Sequence, residues 1–244
     1  MNFLSSKNCV AFVKRQRFLL IVSFVLLSTQ SLQAQSTRLL RQPDISATQI
    51  VFVYGADLWI SDLNGQNVLR LTSTPAVETD PHFSPDGKWI AFTSNRSGSQ
   101  SVYIVPSKGG EATRLTWHPS FSMTRGWSND GKQVLYTSER ETAPSSYMRL
   151  WSVPVTGGPS TLLAKQWGFD GSYAPDGKRM VIDKMDRWDV EWRAYRGGQN
   201  TPLIILNLAD YSEILLPNDR STDLQPLWLG DKIYFMSDRN GGVS

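Results

Sequence analysis

His82 and His118 are the only histidines in this protein, so acid–base chemistry near neutral pH would fall to one of them or to a carboxylate. A serine nucleophile would need one of the two oriented by an Asp or Glu. His82, however, stands beside Phe83 in a strand-like stretch, and His118 precedes Pro119 between two such stretches. Both read as strand-surface or turn histidines rather than as bases. No His/Cys cluster has ligand spacing, so no metal and no other cofactor is expected. Asp86, Asp130 and Asp176 recur at near-constant intervals, which points to turn chemistry, since a paired acid and base would be a singular feature. No glycine pattern that could cradle a phosphate stands at a strand-to-helix junction. The most distinctive stretch is "DKMDRWDVEWRAYRGGQNTP", Asp183 to Pro202. It combines Arg187, Trp188, Trp192, Arg193, Tyr195 and Arg196, and aromatics interleaved with arginine are enriched at interaction hot spots. Two readings stay open: a rim that contacts other domains or a passing peptide, and a long loop packing its aromatics onto its own sheet.

The recurring aspartates reveal the elements that carry them. "HFSPDGKWIAF" (His82 to Phe92), "GWSNDGKQVLY" (Gly126 to Tyr136) and "SYAPDGKRMVI" (Ser172 to Ile182) are copies of one pattern, and "DISATQIVF" (Asp44 to Phe52) and "LWLGDKIYF" (Leu227 to Phe235) are shorter-turned versions. Pro and Asp pre-set the turn and Gly accepts the positive φ that closes a hairpin. Around each hairpin lie two further strand-like runs, for example "SVYIVPS" and "ATRLTW" after the second copy. Four strands per unit at a pitch of roughly 40–45 residues is the pattern of a β-propeller blade. The expected fold is therefore all-β, a β-propeller of four complete four-stranded blades and half of a fifth. The blades fall at about 39–74, 78–117, 122–165, 167–217 and 221–244, and no helix is expected among them. Ile45, Phe83, Trp127, Tyr173 and Trp228 precede the turns at matching positions and are expected to pack between blades.

The net charge of +3 does not imply a nucleic-acid partner. Lys7, Lys14, Arg15 and Arg17 account for +4 within the first 35 residues, so Ser36 to Ser244 carries −1. Those cations precede the apolar run "FLLIVSFVLL" (Phe18 to Leu27) and a small-residue stretch ending near Ala34, the grammar of a secretory signal peptide at 1–34. The run is short for a bilayer span, so the processed protein, 35–244, is expected to have no membrane contact. The single cysteine, Cys9, lies within that signal. An exported, cysteine-free domain fits a periplasm, or secretion.

The Asp-Gly blades resemble those of TolB-like proteins and of several peptidases. Two stretches narrow the resemblance. "LLRQPDISATQIVFVYGADLWISDL" (Leu39 to Leu63) looks like the start of tricorn-type serine proteases, and "WRAYRGGQNTPLIILNL" (Trp192 to Leu208) is similar to a Trp-x-x-Tyr-Arg-Gly-Gly segment of that family. The resemblance implies a six-bladed propeller followed by a seven-bladed propeller, a PDZ domain and a peptidase core. By that comparison this sequence is the front part of a longer protein and holds none of the family's catalytic residues.

The function these features imply is a non-catalytic N-terminal propeller of an exported tricorn-type serine peptidase, a scaffold or gate for peptide substrates. Its expected partners are peptides and the downstream domains of the parent protein, with a homo-oligomer also compatible. One alternative is a TolB-like periplasmic protein-binding propeller without enzymatic activity. Another is the propeller of a prolyl-oligopeptidase-like or amidohydrolase-like enzyme.

Overall fold

The structure is a computed structural model, and it describes residues 39–143, 147–184, 202–218 and 221–240. The described residues form eighteen strands and no helix. Blade 1 comprises β1 (Arg41–Ile45), β2 (Gln49–Tyr54), β3 (Asp57–Asp62) and β4 (Leu69–Arg70). Blade 2 comprises β5 (Glu78–Phe83), β6 (Trp89–Ser94), β7 (Ser101–Pro106) and β8 (Thr113–Arg114). Blade 3 is built from β9 (Ser122–Trp127), β10 (Gln133–Ser138), β11 (Arg149–Pro154) and β12 (Thr161–Leu162). Blade 4 has β13 (Asp170–Tyr173), β14 (Arg179–Asp183), β15 (Ile204–Asn207) and β16 (Glu213–Leu215), and β17 (Asp223–Leu229) pairs with β18 (Lys232–Ser237) as blade 5. Each sheet is an antiparallel meander in sequence order, the expected propeller architecture.

The β1–β2-type turns form as their sequences dictate. In blade 2, Gly87 adopts φ +69° and its N–H reaches Ser84 O at 2.8 Å. Asp86 Oδ1 accepts from Ser84 Oγ at 2.7 Å and from the Lys88 N–H at 3.1 Å, while Ser84 Oγ accepts the Trp89 N–H. Ser128, Asp130 and Lys132 repeat the arrangement in blade 3. Those donors hold the Asp86 and Asp130 carboxyls below their ordinary range. In blade 4 Ala174 replaces the serine, and Asp176 instead takes the Lys178 and Arg179 N–H groups.

Both faces of an internal blade are covered, so its strands are apolar on successive residues: Ile90, Ala91 and Phe92 are all fully buried. Ile90 and Phe92 join Val51, Val53, Leu58 and Ile60 of blade 1, whereas Ala91 joins Tyr136 and Trp151 of blade 3. Leu135 and Leu150 of blade 3 pack on Met180, Ile182 and Leu206 of blade 4. Phe83, Trp127 and Tyr173 lie in these interfaces as expected. Ile45 does not: it is 65% exposed, and no described residue covers it.

A second repeated device ties the outer strand to its blade. Arg70-Leu71-Thr72 and Arg114-Leu115-Thr116 end blades 1 and 2. The threonine hydroxyls accept the buried N–H groups of Leu58 and Val102, each at 2.9 Å. The arginine Nε atoms donate to Thr72 O and Thr116 O.

Candidate functional site

The inner strands β1, β5, β9, β13 and β17 surround a cavity of about 690 Å³. Its position follows from a local feature of those strands. In blades 1, 2 and 5 the inner strand carries a bulge at an x-Pro pair: Gln42-Pro43, Asp80-Pro81 and Gln225-Pro226. Proline has no N–H to give the ladder, so the bulge releases it from pairing. The residue before each proline takes a positive φ, 49° at Gln42, 51° at Asp80 and 53° at Gln225. Blade 3 bulges between Thr124 and Gly126, leaving Arg125 unpaired in the ladder and facing the cavity. Blade 4 pairs regularly from Asp170 to Tyr173.

These residues form one network that reaches all five blades. Gln42 Nε2 donates to Asp80 Oδ1 at 2.9 Å, and the Asp80 N–H donates to Gln42 Oε1 at 3.2 Å. The Arg125 guanidinium lies 3.5 Å from Asp80 Oδ1, with both side chains buried. Arg125 Nε also donates to Phe169 O at 3.1 Å, and the guanidinium stacks 4.1 Å from the Phe169 ring centroid. One arginine therefore links blade 3 to blades 2 and 4. Asp183, buried at the end of β14, accepts the Asp170 N–H and, across the blade interface, the Gln225 N–H, both at 2.9 Å.

The carboxyls outnumber the cations here. Burial pushes Asp170 above the ordinary carboxylate range, with Arg125, then His82 and the Gly171 N–H, offsetting only part of it. Asp183 is pushed up to about 8, first by burial and then by the neighbouring Asp170 charge. Both carboxyls thus hold a proton more tightly than an exposed carboxylate does. Tyr173, on the same wall, is held to about 12 by burial and then by Asp130, so it is a neutral phenol.

His82 departs from the sequence reading. It lines the axial cavity rather than the blade surface, because it follows the bulge of β5 and its side chain turns inward. Its backbone carbonyl accepts the indole N–H of Trp127 at 2.8 Å. His118 is the turn residue expected, with Nδ1 accepting the Ser120 N–H. Ser172 also borders the cavity, where its Oγ accepts the Trp228 N–H of blade 5 at 3.1 Å. Arg187, Trp188, Trp192, Arg193, Tyr195 and Arg196 lie outside the described residues. Among the described residues no group of three or more His, Cys, Asp and Glu side chains is arranged to hold a metal ion.

Gln42, Asp80, Arg125, Asp170 and Gln225 do not stand out as site residues in the sequence, although a signal exists. "QPDI", "DPHF" and "QPLW" recur just ahead of the hairpin turns, and the residue before each proline is the one that faces the axis.

The fold and the sequence agree with known proteins. The protein is 31% identical over 206 residues to tricorn protease homolog 1 of Streptomyces coelicolor, an alignment that takes in 83% of this chain and 19% of that protein. It spans about a fifth of the length of the curated tricorn relatives it matches. A 53-residue stretch, 22% of this chain and 12% of the relative, is 43% identical to the Tol-Pal system protein TolB of Bordetella pertussis. Among solved structures, the tricorn protease superposes with a TM-score of 0.67 at 26% identity, over 84% of this chain and 21% of that one. With the tricorn protease N-terminal β-propeller domain matched across residues 37–244, the protein belongs to that family.

Proposed function

We propose that this protein is the N-terminal propeller of an exported tricorn-type serine peptidase, non-catalytic in itself, which serves as scaffold and gate for peptides. The observation that carries this reading is the wall of the axial cavity. Gln42 and Gln225 amides, the Asp80 carboxylate and the Arg125 guanidinium border it at bulges that pairing leaves free. Since Gln42, Asp80 and Arg125 bond one another, an extended peptide would pass a fixed polar wall, and a peptide's side chains need not be specified. The peptidase activity itself would reside in the four-fifths of the relatives that this sequence does not span.

The test is direct. The 244-residue protein, incubated with a mixed peptide pool, is expected to bind peptides without cleaving them, and Arg125→Met to weaken that binding at least threefold. Turnover that survives purification and disappears in His82→Ala would refute the non-catalytic assignment. Export is tested by the N-terminus of the protein recovered outside the cytoplasm, expected to begin near Gln35.

The second reading, a TolB-like binding propeller, is favoured by the 43% identical stretch. Sequencing the source DNA past the codon for Ser244 separates the two. A frame that runs into a peptidase core supports the first, and one that ends after a further blade supports the second.

A further inference from the structure

The blades are repeats, so each position can be compared with its counterparts in the same molecule. The second strand starts on Gln49 in blade 1, Gln133 in blade 3, Arg179 in blade 4 and Lys232 in blade 5, all polar, but on Trp89 in blade 2. Alternate residues of a strand share a face, and Ala91, two residues on, packs against blade 3, so Trp89 is directed to that side. It is nevertheless 39% exposed.

Blade 4 shows which chemistry this position can carry. Arg179 Nε donates to Asp176 Oδ2 at 2.9 Å, and its Nη2 lies 2.8 Å from the same oxygen. The guanidinium also lies over the Trp228 ring of blade 5, 5.2 Å from its centroid. A guanidinium, a turn carboxylate and a tryptophan ring thus meet where blades 4 and 5 adjoin.

Between blades 2 and 3 the ring and the carboxylate are present, and the position of the guanidinium has gone to the ring. A cavity of about 630 Å³ opens there, bordered by Asp86 and Trp89 of blade 2 and Asp130 of blade 3, with Ile104 and Val155 as apolar lining and Thr113 beside them. In both turns the aspartate Oδ1 is taken by the turn's own donors. Each Oδ2 meets a lysine, Lys88 at 3.2 Å and Lys132 at 3.7 Å. Those lysine side chains are 77% and 79% exposed, so the pairs are weak and open to exchange. The turn donors keep both carboxyls ionised at neutral pH.

We propose that the cavity between blades 2 and 3 is a binding site for an arginine side chain of a peptide, which stacks on Trp89 and bonds to Asp86 and Asp130. The ligand class follows from blade 4, where Arg179 brings the same group to the same turn carboxylate from within the chain. Arginine suits the site better than lysine, because its planar fork matches a carboxylate and its weakly hydrated face stacks on indole. The same fork can displace the exposed ammonium groups of Lys88 and Lys132. Among the described residues, only Pro85 and Asn129 line both this cavity and the axial one, so the site is separate from the gating role.

The experiment uses the 244-residue protein labelled with ¹⁵N at tryptophan, the Trp89 indole signal being assigned with Trp89→Phe. Three peptides of equal length, acetylated and amidated so that their termini carry no charge, are titrated: one with a single arginine, one with lysine and one with citrulline, the neutral isostere of arginine, at the same position. The Trp89 signal is expected to shift with the arginine peptide, which should bind at least tenfold more tightly than the citrulline peptide and at least threefold more tightly than the lysine peptide. Trp89→Arg installs the blade 4 arrangement and is expected to abolish the preference for arginine over citrulline. Asp130→Asn gives a second reading, an at least threefold smaller preference, should Trp89→Arg not fold. A Trp89 signal unmoved by the arginine peptide, citrulline or lysine binding as tightly as arginine, or an unchanged preference in the folded variants overturns the proposal. The axial reading is judged separately, by Arg125→Met.

Discussion

Gln42 and Asp80, the bulge residues of two neighbouring blades, hold each other reciprocally, each through one bond of the pair at 2.9 and 3.2 Å. Both sit at positive φ, a conformation that costs a non-glycine residue about 1–2 kcal/mol, so the bonds offset strain at the same spot. Gln42→Ala is expected to cost about 1–3 kcal/mol, because the Asp80 N–H loses its acceptor. Gln42→Gly should cost less than Gln42→Ala, since glycine relieves the φ of +49°. Urea unfolding of the two variants checks the order, and equal losses would show that the backbone strain is negligible.

The Asp170–Asp183 pair makes stability depend on pH in a defined direction. An acid whose proton is held more tightly in the folded state makes that state lose stability as pH rises from the ordinary value, 3.8, through its folded value of about 8. The protein should therefore be more stable at pH 5 than at pH 8. Each tenfold change in proton affinity is worth about 1.4 kcal/mol, and a difference of at least that size is expected. The turn aspartates Asp86, Asp130 and Asp176 are held below their ordinary range and titrate outside this window. Asp183→Asn should flatten the pH dependence at a cost of about 1–2 kcal/mol for one of its two N–H contacts. A melting temperature that rises from pH 5 to pH 8 in the wild type would contradict the assignment.

The blade repeat is legible in the sequence because its signal is local: Asp86, Asp130 and Asp176 act within their own turns, through bonds spanning two or three residues. The axial network is not, because Gln42, Asp80 and Arg125 act on partners 38–45 residues away in sequence, in other blades. His82 shows the same limit, since a strand histidine points to the surface or to the axis according to a bulge that only the register reveals. Ile45 departs from expectation for a different reason. Its position matches Phe83, but burial at that position comes from a neighbouring blade, and matching residue type does not supply one.

Gly171 takes the place that proline holds in blades 1, 2 and 5, in the one complete blade whose inner strand runs without a bulge. A Cβ there would meet Val181 O at 2.8 Å and Leu150 and Ile182 side-chain atoms at 3.2 and 3.1 Å. Gly171→Ala is therefore expected to destabilise by about 1–3 kcal/mol through overpacking at the blade 3–4 interface. Gly157→Ala serves as a contrast, because its added Cβ meets nothing within 4 Å and only the positive φ of 79° opposes it. A smaller loss for Gly171→Ala than for Gly157→Ala would mean that the interface yields.

Thr72 and Thr116 test whether the repeated Arg-Leu-Thr segment stabilises each blade separately. Each hydroxyl accepts one buried N–H, from Leu58 and from Val102, with the same 2.9 Å geometry. Threonine to valine keeps the shape and removes the acceptor, so each substitution should cost about 1–3 kcal/mol. The two sites lie in different blades and share no partner, which makes their losses additive within about 0.5 kcal/mol in the double variant. A double loss well below the sum would show that blades 1 and 2 give way as one unit, through the Ile90, Phe92 and Leu58 cluster that joins them. Blade 3 carries the control in its own sequence, since Ala164 stands where the threonine would be and is fully buried without offering an acceptor. Ala164→Thr is accordingly expected to be neutral or stabilising if the segment's bond geometry can form there, and denaturant unfolding of that variant shows which.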